Sequence, residues 1–161
     1  MNNFIKVSPF SDTALAVVAL DVSPEALALA QANVAAHQLT SRIQLLQGDA
    51  FDALPAGTRF DLVVSNPPYI PTLEITTLQP EVRDFDPHLA LDGGTDGLNF
   101  YRLLASKSFE YLNPGAVLMM EIGEGQATSV AGCFSDHGFV IQSVVSDYSA
   151  RARFVVVQVA R

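Results

Sequence analysis

Asn66-Pro67-Pro68-Tyr69 is the segment of this sequence best suited to chemistry. It follows the apolar run Phe60 to Ser65, and neither proline can continue a central strand, so the chain must turn there. Pro67 has no N–H, and the proline pair stiffens the backbone. The side-chain oxygen of Asn66 and the carbonyl of Pro67 can therefore both aim acceptors at one substrate amino group, with Pro68 in the wall of the same turn. A planar amide or exocyclic amine is a poor nucleophile because its lone pair is delocalised. Two fixed acceptors hold its N–H bonds so that the lone pair faces an electrophilic methyl, which is catalysis by orientation and electrostatics. Tyr69 can cover the flat face of the substrate group.

Two carboxylates complete the set. Asp21 follows an apolar run, where an acid can accept two hydrogen bonds from ribose hydroxyls. Asp49 follows the next run, where it can accept from the amino group of an adenine, with the Ala50 backbone addressing the ring. Glu121 stands at another strand end and is read as structural support. Cys133, the one cysteine, is read as a small buried hydrophobe. No metal site is expected.

These residues need elements to hold them. Ala16 to Leu20 reads as a buried strand ending at Asp21. Ser23 then offers an N-cap and Pro24 the first helical position. Glu25 to His37 follows as a helix, with Leu27, Ala30 and Val34 at core-facing spacing. Strands are expected over Ile43 to Gln47, Phe60 to Ser65, Ala116 to Ile122, Phe139 to Ser146 and Arg153 to Ala160, the last two as an antiparallel pair. Ile70 to about Asp96 reads as a long irregular stretch. Helices are expected over Gly97 to Leu112, stopped by Asn113-Pro114-Gly115, and over Gly125 to His137, capped by Gly138. Strands alternating with helices imply an α/β fold with a mainly parallel sheet. In such sheets ligands sit at the carboxyl ends of the strands, where Asp21, Asp49 and Asn66 fall.

Composition narrows the function. The chain has 161 residues, 49% hydrophobic and 16% charged, enough for one domain with a core. Its formal net charge is -8, from 17 acidic and 9 basic residues. That balance argues against binding a nucleic-acid backbone directly. No run approaches a membrane span, and Met1 to Phe10 is not a secretory signal. A single cysteine suits a reducing, cytoplasmic setting.

At these residues the chain resembles class I S-adenosylmethionine-dependent methyltransferases that act on planar nitrogen. More narrowly, it resembles the HemK-type release-factor glutamine methyltransferases from about Ala16 to the end. The shared segments include Val18-Ala19-Leu20-Asp21, Gly48-Asp49 and Val64-Ser65-Asn66-Pro67-Pro68-Tyr69-Ile70-Pro71. They continue through Glu81-Val82-Arg83, Pro87 and Ala90-Leu91-Asp92-Gly93-Gly94-Thr95-Asp96-Gly97-Leu98. Leu112-Asn113-Pro114-Gly115-Ala116, Met120-Glu121-Ile122-Gly123 and Asp147-Tyr148-Ser149 follow.

The resemblance implies a Rossmann-like sheet, S-adenosylmethionine as methyl donor and a glutamine of a peptide chain release factor as acceptor. By the match, Asn66, Pro67 and Tyr69 are catalytic, with Pro68 beside them at the substrate. Asp21, Asp49, Ala50 and Asn66 hold the cofactor. The family pattern carries a glycine-rich turn after its first strand, whereas this chain has no glycine before Gly48, and Ser11-Asp12-Thr13 is no substitute. The expectation is a partial catalytic domain over 1–161. Residues 1–15 form an atypical N-terminus with at most a short stand-in strand at Phe4 to Val7, and 16–161 are family-like. Neighbouring strand edges left unpaired would favour self-association. The alternatives are an adenine or guanine amino methyltransferase on nucleic acid, and a non-catalytic remnant.

Overall fold

The structure, a computed structural model, describes the backbone of residues 3–7 and all of residues 16–159. In chain order the strands are β1 (Asn3–Val7), β2 (Val17–Asp21), β3 (Ile43–Gln47), β4 (Phe60–Asn66), β5 (Leu112–Glu121), β6 (Phe139–Ser146) and β7 (Ala152–Val159). The helices are α1 (Pro24–Ala36), α2 (Pro80–Arg83), α3 (His88–Leu91), α4 (Asn99–Lys107) and α5 (Ala127–Ser135). Short 3-10 turns occupy Thr72–Thr77 and Ser108–Tyr111.

The strands form one seven-stranded sheet in the order β3-β2-β1-β4-β5-β7-β6. β2 and β3 pair in parallel, as do β4 and β5. β7 runs against both β5 and β6. The mixed α/β sheet with an antiparallel C-terminal pair is thus the expected one. The centre differs from a plain parallel sheet: β1 lies between β2 and β4 and runs antiparallel to both. The stand-in strand therefore fills the central position in reverse. This corrects the expectation of unpaired central edges as a route to self-association, because β2 and β4 are each paired on both sides and the sheet ends at β3 and β6. The reading of Ser11-Asp12-Thr13 and the end of the last strand at Ala160 lie outside the described residues.

Local sequence explains the elements that carry the site. The Ser23 hydroxyl accepts from the Ala26 N–H at 3.0 Å, with Pro24 at the first helical turn of α1. Val34 is buried, while Leu27 and Ala30 are half-buried. The main core lies elsewhere, where α4 and α5 cover β5 and β7: Tyr101, Leu104, Leu118, Met120, Val130, Phe134, Val155 and Val157 are all inaccessible. Removal of their apolar surface from water is the chief stabilising term of this half of the fold.

Helix α4 is shorter than the sequence suggests. It ends at Lys107, and Asn113-Pro114-Gly115 does not stop it but lies inside β5. There the register jumps from Phe60 opposite Leu112 to Leu62 opposite Val117, so the extra residues bulge out of the ladder. Proline lacks an N–H for that ladder, and Gly115 takes φ 80°, a conformation suited to glycine. Helix α5 is also shorter than expected, and Gly138 stands three residues past its end at φ 82°. The stretch 70–96 is irregular as anticipated, apart from its short turns.

The turn joining β6 to β7 is built on Asp147. Its carboxylate accepts from the N–H groups of Ser149 at 2.8 Å and Arg151 at 3.0 Å and meets Arg153 Nε at 3.3 Å. Hydrogen bonds from the turn's own N–H groups, that of Arg151 foremost, hold this carboxyl below the usual carboxylate range. A lowered folded value stabilises the turn above the ordinary aspartate value of about 4. That stabilisation is expected to disappear as pH falls through the lowered value. Amide chemical shifts of Ser149 and Arg151 followed in an acid titration check this, and shifts that track only global unfolding would contradict it.

Candidate active site

β2, β4 and β5 end at one edge of the sheet with Asp21, Asn66 and Glu121, and β3 leads there into Gly48-Asp49-Ala50. Asn3 of β1 lies opposite Asn66, and the next residue, Phe4, lies opposite Leu20. Asp21 and Asn66 therefore flank one intervening strand, two strand spacings or about 10 Å apart. The edge brings together the residues expected to bind cofactor and substrate.

Asp21 is 4% exposed. One carboxylate oxygen accepts from the Ser23 N–H at 2.9 Å, while the other is buried with no hydrogen-bond partner among the described residues. A buried acceptor left unpaired carries a desolvation cost that an incoming hydroxyl would relieve. The free oxygen thus fits the ribose role. Asp49 is exposed, and its backbone carbonyl accepts from Asp52 N–H at 3.0 Å. Ala50 beside it is buried and takes φ 48°, an uncommon left-handed conformation for alanine. A Cβ at Gly48 would overlap the Ala53 Cβ.

The methionine end of such a cofactor finds less. The position between Asp21 and Asn66 is held by β1, which enters this edge at Asn3, and not by a strand running into a glycine turn and a helix start. The described residues fit the adenosine half and offer no close-approach backbone for the rest.

Asn66 is exposed at the end of β4, whereas Pro67 and Pro68 are buried. Tyr69 is half-buried and doubly tethered. Its hydroxyl donates to Glu121 Oε1 at 3.2 Å, and its carbonyl accepts from Gln126 Nε2 at 2.9 Å. Gln126 Oε1 in turn accepts from the Gly123 N–H at 2.9 Å. The Tyr101 hydroxyl donates to the Glu121 carbonyl at 2.7 Å. Burial, and then the nearby Glu121 charge, push the Tyr69 hydroxyl up, so it remains a donor and no base. Burial likewise pushes the Cys133 thiol up, away from the reactive thiolate. Among the described residues no group of His, Cys, Asp or Glu is placed to hold a metal.

Gln126 and three glycines were not legible as site residues. A Cβ at Gly97 would overlap the Tyr69 carbonyl oxygen, one at Gly93 would come within 2.9 Å of the Tyr69 carbonyl carbon, and one at Gly123 within 3.1 Å of the Tyr69 ring. The sequence marks Gly93, Gly97 and Gly123 within family-like segments but assigns them no task. Nothing in the sequence marks Gln126, since its partners are brought in by folding. Gly97 also has φ 73°. Gly97→Ala is expected to lose about 1–3 kcal/mol of stability through overpacking. Chemical denaturation checks this, and an unchanged midpoint would show that the loop yields freely.

The segment 70–92 returns to the site it leaves. Ile70 N–H donates to the Leu91 carbonyl at 3.0 Å, Gly93 N–H to the Ile70 carbonyl at 2.8 Å, and Thr72 N–H to the Gly94 carbonyl at 3.0 Å. The Thr72 hydroxyl donates to Asp92 Oδ1 at 2.7 Å. Both ends of this segment are thereby fixed beside Tyr69.

Known proteins resemble this chain in sequence and in fold. A family model described as "Methyltransferase small domain" matches residues 6–85. The release factor glutamine methyltransferase of Geobacter sulfurreducens is 54% identical over 123 residues, 76% of this chain and 42% of that protein. The protein of the same name from Cereibacter sphaeroides is 46% identical over 86% of this chain and 49% of its own length. The chain thus spans about half the length of the curated relatives it matches. A methyltransferase from Pyrococcus furiosus shares the fold, with TM-score 0.65 and 15% identity over 91% of this chain and 64% of that one. A putative methyltransferase complexed with SAH does so with TM-score 0.58 and 15% identity, over 89% of this chain and 39% of that one.

Proposed function

We propose, from its homology to release factor glutamine methyltransferases over most of its length, that this chain carries the substrate-orienting part of a protein-glutamine methyltransferase site. The reaction is transfer of a methyl group from S-adenosylmethionine to the side-chain amide nitrogen of a glutamine in a peptide chain release factor. Residues 16–161 are its family-like part and 1–15 its atypical start. The supporting observation is the Asn66-Pro67-Pro68-Tyr69 turn, held from two sides by Glu121 and Gln126.

When bound, S-adenosylmethionine supplies a methyl group activated by a sulfonium. The residues of this chain prepare the acceptor. Asn66 Oδ1 and the Pro67 carbonyl accept the two N–H bonds of the glutamine amide and turn its lone pair toward the donor side. Holding the amide this way stabilises the positive charge that develops on nitrogen, because both acceptors carry partial negative charge. Tyr69, kept protonated and tied to Glu121, walls the flat face of the amide. The amide proton leaves to solvent after attack, since neither Asn66 nor Tyr69 is a base at neutral pH. Asp21 would hold the ribose hydroxyls through its free oxygen, and Asp49 with Ala50 would border the adenine. Among the described residues no helix is long and apolar enough to cross a membrane, and a single cysteine agrees with a cytoplasmic setting.

The test is incubation of a chimera, in which residues 16–161 are joined to the N-terminal part of a full-length relative, with labelled S-adenosylmethionine and either a release factor or a nucleic acid. The label is expected on the release factor. Label on the nucleic acid alone would overturn the protein-substrate reading.

A further inference from the structure

The four most exposed large hydrophobic side chains among the described residues all belong to segments at the site edge of the sheet. Leu73, Phe85 and Leu89 are 83%, 84% and 73% exposed, and all three lie in the segment whose two ends are fixed beside Tyr69. Tyr148 is fully exposed in the turn between β6 and β7. That turn stands at the same edge, because β5 and β6 both run against β7 and Phe154 lies opposite both Glu121 and Val145. The Ile122 N–H also bonds the Arg153 carbonyl at 2.9 Å, joining the turn's base to the end of β5. A scattered exposed leucine needs no explanation, but four such side chains bordering one site do.

The charge of this rim is specific as well. Glu74, Glu81, Asp84 and Asp86 lie between the apolar side chains. Only Asp84 is ion-paired, with Arg83 at 2.7 Å. The remaining carboxylates have no ion pair among the described residues. A glutamine side chain reaches only roughly 5 Å from its own backbone. A protein that brings its glutamine amide to Asn66 must therefore lay its surrounding surface on whatever borders the turn.

We propose that the segment 71–91 and the Asp147–Arg151 turn together form the docking surface for the glutamine-bearing protein, and that this partner meets the rim with apolar and basic side chains. The inference rests on the protein-substrate reading above and deepens it by naming where the partner binds. The exposed aromatic and aliphatic side chains supply the contact area, and the unpaired carboxylates select a basic partner and speed its encounter. Asp147-Tyr148-Ser149, a segment with no task in the chemistry, gains one here.

Calorimetric titration of the full chain with a purified release factor tests this. Phe85→Ser with Leu73→Ser, and separately Tyr148→Ser, are expected to weaken association about tenfold or more while the melting curve stays unchanged. Leu29→Ser on α1 and Val140→Ser, at the opposite end of β6 from the turn, are expected to leave it unchanged. Added salt is expected to weaken association of the wild-type chain. The proposal is overturned if the rim variants bind as the wild type does, if the two control variants lose as much, or if the wild-type chain binds a single-stranded oligonucleotide and no release factor. Methyl transfer separates the two levels. With the cofactor end completed by the N-terminal part of a full-length relative, transfer to the release factor that is equal with and without the rim substitutions sinks the docking surface alone, whereas no transfer in either case sinks the functional reading.

Discussion

Asn66→Ala is expected to cut methyl transfer about 10²-fold or more, by analogy with loss of one oxyanion-hole donor, while cofactor affinity stays nearly constant. Asn66 stands exposed at the end of β4 and is followed by buried Pro67 and Pro68, so its side chain offers an acceptor to an incoming group from a stiff support. Alanine keeps the strand end and the proline turn but removes the acceptor. The Pro67 carbonyl alone holds one N–H bond and leaves the amide free to rotate about it. A hundredfold loss corresponds to about 2.7 kcal/mol of transition-state stabilisation. The comparison belongs in a chimera that joins residues 16–161 to the N-terminal part of a full-length relative, so that the cofactor end is complete. Steady-state turnover and cofactor titration are measured on the same preparation. Unchanged turnover would rule out the orienting role, and an equal loss of cofactor affinity would move Asn66 to the cofactor.

The chain of 161 residues by itself is expected to bind S-adenosylmethionine weakly or not at all. Asp21 keeps a free buried oxygen for the ribose. The methionine end meets β1, which arrives at the edge in reverse, and the described residues there supply neither a glycine turn nor a helix N-terminus with free N–H groups. Each missing hydrogen bond is worth roughly 0.5–1.5 kcal/mol. Two or three together weaken binding about ten- to a thousandfold. Calorimetric titration against the chimera reads the difference. Micromolar binding by the unextended chain as a monomer would show that its first residues rebuild the site.

Much of this architecture was written in local signals. Ser23-Pro24 sets the start of α1, and β3 and β6 have the bounds that their apolar runs suggest. The site edge followed from polar residues at strand ends, since a buried strand that ends on Asp or Asn has few packing reasons to do so. Other features depend on long-range partners and left no local trace. The run Phe4 to Val7 allows a short stand-in strand but does not give its direction, which is set by pairing with both β2 and β4. Asn113-Pro114-Gly115 has the composition of a helix stop, and only the partner strand reveals it as a bulge. Gln126 reads as an ordinary polar residue until folding places Tyr69 and Gly123 at its two ends.

The most direct test of the account is the site of methylation itself. The chimera is incubated with S-adenosylmethionine and a release factor, and the product is digested and mapped by fragmentation mass spectrometry. The account predicts one added methyl group on a glutamine side-chain nitrogen, abolished by Asn66→Ala. Methyl groups on any other residue type, or on nucleic acid and not on protein, would contradict it.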